Sequence, residues 1–217
     1  MTPISYLKLR LSVFMFLQYF IWGAWFPSMG AYLSKNLGFG GAQIGAAYSA
    51  FAIGAIISPV FVGLIADRFF ASEKLLACLA TVGALTLFVV SRLDEFGAFY
   101  PGLIFYCTTY VPTLALGNSL SMAHLPDIKK SFPHIKILSA VGWIAGSVTL
   151  SSLHGEQSSI QFLLAGAASL VFAGYCLTLP HTPPKKAVRA SLRVALGLDA
   201  LDLFKRPSLP SSSSASS

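Results

Sequence analysis

Lys136, Ala140 and Trp143 stand at i, i+4 and i+7, which puts an ammonium and an indole on one face of a helix. The ammonium donates hydrogen bonds, and the indole offers a flat surface on which another ring can stack. Lys136 equally suits the end of a membrane helix, where its stem snorkels to the interface. Trp22 and Trp25 form a second pair, at i and i+3. Gln18, Thr113, Asn118 and Ser121 are polar residues set inside apolar runs. In hydrocarbon such side chains need partners, either across a helix contact or from a ligand. Gln18 and Asn118 are the stronger cavity candidates of this set.

Reactive chemistry is otherwise missing from the sequence. No P-loop or GxSxG elbow occurs, and His124, His134, His154 and His181 lack metal-ligand spacing. Cys78, Cys107 and Cys176 stand singly in apolar stretches and read as small buried residues. The expectation is no enzyme and no cofactor. None of the 8 carboxylates falls deep within an apolar run. An ionisable residue deep in an apolar run marks a proton or ion pathway, and the carboxylates offer none.

These residues must be positioned by membrane helices. The chain has 217 residues, 55% hydrophobic and 11% charged, against about 25% charged in soluble domains. So few charges, despite a net +7, argue against nucleic acid as a partner and for a lipid bilayer. Six apolar runs are long enough to span, near 9–33, 43–66, 74–92, 98–122, 135–153 and 159–179. The first is too long for a signal-peptide core of about 7–15 residues and reads as a retained helix. With both termini cytoplasmic, only Lys35 and Arg92 of the 15 Lys and Arg fall on the outside, a strong positive-inside bias.

The expected organisation is a six-helix half-domain over 1–180, a basic linker over 181–206 and a Ser-rich tail over 207–217. In the linker, Val188, Leu192, Leu196 and Phe204 recur at near-helical spacing. That fits either an amphipathic surface helix or a solvated connection. The tail, "PSLPSSSSASS", is too polar to span.

Between the second and third spans stands "GLIADRFFASEK". Gly63 allows close helix packing, Asp67 suits a helix N-terminus and Arg68 a carboxylate, so the three can form a conformational latch. A solvated turn is the plain alternative. "GxxADR" after a second helix resembles the loop motif of the major facilitator superfamily, with Phe70 where a Gly is common and Glu73-Lys74 as a displaced polar pair. "LQYFIWGAWF" (17–26), "GAQIGAAYSAFAIGAIISPVFVGLIAD" (41–67), "YVPTLALGNSLS" (110–121), "LTLPHTP" (177–183) and "LGLDALDLFK" (196–205) together resemble the nucleoside:proton symporter family of that superfamily. The similarity runs from about residue 7 to residue 206, in order and spacing.

The resemblance implies an all-α membrane protein, the amino-terminal half of a twelve-helix fold, built from two inverted three-helix repeats. "FPSMG" (26–30) and "VPTLA" (111–115) would then correspond, each a proline kink lining the cavity. It also implies a bacterial inner-membrane protein that takes nucleoside and proton as its partners. The positions matching Lys136, Ala140 and Trp143 carry an Arg, a Thr and an aromatic in the family. Trp143 keeps the aromatic role, Lys136 keeps charge but not the guanidinium fork, and Ala140 has no hydroxyl. Ser139 is roughly 100° around the helix and a poor substitute.

The resemblance further implies that a seventh helix should follow "LDLFKR", with proton-carrying acids in the second half. The Ser-rich tail in its place fits a truncated or frame-shifted product, a half-length product with a flexible end, or a half-transporter that pairs with its own copy. The expectation is a half that lacks its carboxy-terminal partner and does not transport alone. The alternatives are a non-transporting membrane partner and the homodimerising half.

Overall fold

A computed structural model describes residues 3–61 and 71–183. The candidate latch Gly63, Asp67 and Arg68 lies outside the described residues, as do the linker beyond residue 183 and the Ser-rich tail. In the bilayer every backbone N–H and C=O must be satisfied within its own segment, and long apolar runs therefore become helices. They are α1 (Pro3–Trp25), α2 (Met29–Lys35), α3 (Gly41–Phe61), α4 (Ser72–Val90), α5 (Phe96–Ala123), α6 (Ile128–Ser152) and α7 (Ile160–Cys176). Together α1 and α2 form one broken span, giving the six expected.

Four of the helical spans, Ser5–Lys35, Gly41–Ser58, Ser72–Val90 and Ile128–Ser152, are long and apolar enough to cross a membrane by composition alone. At 28 residues α5 is long enough, but Tyr, Thr and Ser dilute its apolar content. The remaining span, α7, is apolar but has only 17 residues. The six-span reading rests on all of these together.

One boundary and one pair of kinks differ from the sequence expectation. The span expected from residue 135 begins at Ile128, because the Asp127 carboxylate caps the new helix by accepting the Lys130 N–H at 3.1 Å. Its polar first turns, with Pro133 inside the helix, do not look like a membrane run. The two prolines expected to kink alike also part company. Pro27 sits in the turn that separates α1 from α2, whereas Pro112 stays inside an unbroken α5. Past α2, Gly38 takes φ +68°, a left-handed conformation that suits glycine at a helix end.

Neighbours around the bundle run α6, α1, α7, α4, α5 and α3, and α5 returns to touch α1. This pattern maps onto itself when the first three spans are exchanged for the last three. The α1–α6 contact becomes α5–α3, α1–α7 becomes α5–α4, and α4–α7 becomes itself. Two interlocked repeats of three helices are thus visible in the packing.

The seams depend on missing side chains. A Cβ on Gly142 or Gly146 would run into the carbonyl of Phe16 or Phe20, and one on Gly23 into that of Trp143. Helices α1 and α6 therefore meet backbone to backbone. Across α3–α5, a Cβ on Gly54 would lie 2.7 Å from the Cys107 carbonyl oxygen. Small residues at close crossings are how membrane helices gain van der Waals contact. Cys107 and Cys176 are buried as expected, but Cys78 faces outward from α4.

Glu73 is not a loop residue. It occupies the first turn of α4, with 5% of its surface exposed. Its carboxylate accepts from His181 Nδ1 at 2.7 Å and from the Thr182 N–H at 3.0 Å. The Ser72 N–H in turn donates to the Thr182 carbonyl at 3.1 Å. His124, after α5, shares a 2.8 Å hydrogen bond with the Thr182 hydroxyl. The strand of chain leaving α7 is thereby clipped to the ends of α4 and α5.

Candidate functional site

The face of α6 beside its glycine seam carries Lys136, Ala140 and Trp143, as helical spacing predicts. With Tyr19 of α1, Ser139 and Ile144 they line an open cleft of about 480 Å³. Lys136 Nζ donates to the Tyr19 hydroxyl at 2.6 Å and to Asn118 Oδ1 of α5 at 3.3 Å. It also lies 4.4 Å from the Tyr19 ring centroid, within cation–π range. One ammonium thus gathers α1, α5 and α6 at a single point. No carboxylate pairs with it among the described residues. A cation held only by neutral oxygens keeps its charge available to a ligand.

Trp143 is fixed by a second tryptophan. Its ring meets Trp22 edge-on at 4.7 Å and 84°, and Trp22 stacks on Phe51 of α3 at 4.7 Å and 3°. Phe26 packs against Trp22, Phe51 and Trp143 together. Such an array holds the Trp143 indole in one orientation, half-buried at the cleft wall. The Trp22 indole N–H has no partner, and neither has the Ser139 hydroxyl.

Gln18 stands apart from this cleft. It is fully buried, and its amide donates to the Thr113 carbonyl at 2.7 Å and the Thr113 hydroxyl at 3.2 Å. The Tyr110 hydroxyl donates back to the Gln18 carbonyl at 2.7 Å. Gln18 is therefore a bridge between α1 and α5 in this conformation, lying behind the cleft wall. Trp25 likewise turns away from Trp22, into Tyr106 and Phe162. The structure brings Asn118, Lys136, Ala140 and Trp143 together and leaves Gln18 behind them.

One lining residue escaped the sequence reading, and another was set aside in it. Tyr19 supplies the shortest contact to Lys136 but is separated from it by 117 positions. Its only local signal is the aromatic stripe Tyr19, Trp22 and Phe26 at i, i+3 and i+7. Ser139, set aside for its angle on the helix, still contributes to the lining, although only 2% of its surface is exposed.

A family model described as nucleoside H+ symporter matches residues 5–210. The chain belongs to the nucleoside H+ symporter family. Escherichia coli (strain K12) YegT is 40% identical over 203 residues, covering 90% of this chain and 48% of YegT. The xanthosine permease of the same organism is 38% identical, covering 93% of this chain and 49% of the permease. The crystal structure of the nucleoside transporter NupG superposes with a TM-score of 0.83 at 36% identity, covering 92% of this chain and 50% of that one. A mutant form of NupG gives 0.86. The fold is thus that of a major facilitator half, and the protein is a multi-pass membrane protein of a transporter family. The chain spans about half the length of the curated relatives that it matches.

Proposed function

We propose that this chain supplies one wall of the nucleoside site of a proton-coupled nucleoside transporter. The observation that supports it is the cleft in which Lys136, without a carboxylate, faces a cross-braced Trp143. A nucleobase stacks on the Trp143 indole, and Lys136 donates to a base carbonyl or a sugar hydroxyl. Asn118 and Tyr19 hold the ammonium in place, and Ala140 leaves room for the ligand. In a transporter of full family length the second six-helix half closes over this wall, and rocking of the halves exposes the site alternately to each side. The inward proton gradient then drives uptake.

The chain as it stands does not couple protons to transport on this reading. Glu73 sits at the end of α4, and Asp94, Glu95, Asp127 and Glu156 are exposed outside the spans. No carboxylate among the described residues stands in mid-membrane to carry a proton. Vesicles holding the chain alone should not accumulate radiolabelled uridine under an acid-outside gradient. Accumulation above empty vesicles would overturn the claim. Uridine binding to the purified chain, followed by tryptophan quenching, should weaken about tenfold in Lys136→Met, the scale of one charge-assisted hydrogen bond. Unchanged binding would remove Lys136 from the site.

The residence proposed is the bacterial inner membrane with both termini cytoplasmic. A membrane-impermeant thiol reagent applied to intact spheroplasts should label Lys35→Cys and spare Lys130→Cys in a Cys78→Ser background. The reverse pattern would invert the topology.

A further inference from the structure

The first span is broken at Pro27, yet a proline alone does not break a helix in this fold. Pro112 lies inside α5 and leaves it continuous. Two hydroxyls from neighbouring helices meet the backbone groups freed around Pro27. Proline has no N–H for the carbonyl four residues back, which here is that of Gly23. The Ser147 hydroxyl of α6 donates to that carbonyl at 2.9 Å instead.

The second hydroxyl comes from α3. In an unbroken helix the Gly30 N–H would donate to the Phe26 carbonyl. Here the Tyr48 hydroxyl stands between them, accepting from the Gly30 N–H at 3.0 Å and donating to the Phe26 carbonyl at 3.2 Å. One side chain thus replaces a rung of the helix ladder and satisfies both of its ends. Insertion of this kind is a direct cause of sharp kinks. The approach depends on Gly30, because a Cβ there would stand only 3.1 Å from the Tyr48 oxygen.

The carbonyl that Tyr48 holds belongs to the residue that braces the cleft. The Phe26 ring meets Tyr48 edge-on at 5.1 Å and 81°. It also packs on Trp143 at 6.1 Å, and on Trp22 and Phe51, the two rings that stack behind Trp143. A change in the break moves the Phe26 backbone, and the ring carries that change to the indole. Tyr48 itself is not among the residues that line the cleft.

We propose that Tyr48 is a positioning residue for the candidate nucleoside wall. Its hydroxyl holds the first span broken at Pro27, and the break sets Phe26 and, through it, the Trp143 indole. The benefit to a ligand rests on the reading of the cleft as a nucleoside site, whereas the break and its control by Tyr48 do not.

The test is Tyr48→Phe in the full chain in detergent, which keeps the ring and removes the hydroxyl. The Gly30 N–H and the Phe26 carbonyl then bond each other, and α2 swings towards the line of α1. Spin labels on Lys35→Cys and Arg92→Cys, both exposed, report the swing in a Cys78→Ser background. Their distance should change by about 3 Å, the travel of a seven-residue helix through roughly 20°. The tryptophan band in near-ultraviolet circular dichroism should change with it, and should not change when Tyr48→Phe is made in a Trp143→Phe background. Uridine binding should weaken about threefold, the scale of one aromatic contact. Gly30→Ala crowds the hydroxyl while keeping Tyr48, and should move the labels in the same direction. A lower thermal midpoint with an unchanged label distance would make Tyr48 a simple tie between helices and overturn the proposal. A label shift that leaves the tryptophan band untouched would overturn the link to Trp143. If the unaltered chain binds no uridine, the nucleoside reading fails separately, and the labels and the tryptophan band still decide the role of Tyr48.

Discussion

The α1–α6 and α3–α5 seams occupy equivalent places in the two interlocked repeats, yet only one of them carries a candidate site. Both are closed by glycine against a backbone carbonyl. The α1–α6 seam uses Gly23, Gly142 and Gly146, and beside it stand Tyr19, Lys136 and Trp143. The α3–α5 seam uses Gly54, and the polar contact beside it is a 3.2 Å hydrogen bond between Ser49 and Tyr100 hydroxyls. The architecture was duplicated, but the charge was not. Packing can be shared between repeats because it depends on shape alone. Ligand chemistry needs particular side chains, and one asymmetric placement is enough.

The comparison can be broken by adding a methyl group. Gly142→Ala drives its Cβ into the Phe16 carbonyl, and two backbones cannot yield as a side chain can. A loss of about 2–3 kcal/mol is expected, at the upper end for overpacking, with the thermal midpoint in detergent as the measurement. Gly54→Ala meets the Cys107 carbonyl at a longer 2.7 Å and should cost about 1 kcal/mol in the same assay. If Gly54→Ala proved the worse of the two, the tighter seam would not be the one beside the site. Ser49→Ala removes the exposed bond to Tyr100 and the local 2.7 Å bond from the Ser49 hydroxyl to the Ala46 carbonyl, and should cost about 0.5 kcal/mol or less. A larger loss would mean that the α3–α5 seam relies on polar contact after all.

Spans were legible because each needs a long apolar run, and composition alone reveals it. Lys136, Ala140 and Trp143 were legible as a set because one helical face is a local property. Tyr19 was not, since its meeting with Lys136 depends on how α1 leans against α6. The place of Gln18 depends on tertiary packing in the same way. A buried amide in an apolar run signals that a partner exists, and here the partner is Thr113 of a neighbouring helix. The two prolines show the same limit. Pro27 lies where α1 nears its end and the chain is free to turn, whereas Pro112 is buried in the middle of a helix packed on α3 and α4. Proline removes one hydrogen bond in both places, but only neighbours decide whether the helix breaks.

The clip made by Glu73 gives the bundle a fixed mooring. Force applied to the chain beyond Pro183 does not first unravel α7. It arrives at Thr182, whose backbone N–H is held by the buried Glu73 carboxylate and whose carbonyl accepts from the Ser72 N–H, the residue before Glu73. From there tension passes into α4 and, through α4, into both repeats at once. A pull on this end is therefore shared with the ends of α4 and α5 and not carried by α7 alone, in the way a bollard spreads the pull of a rope.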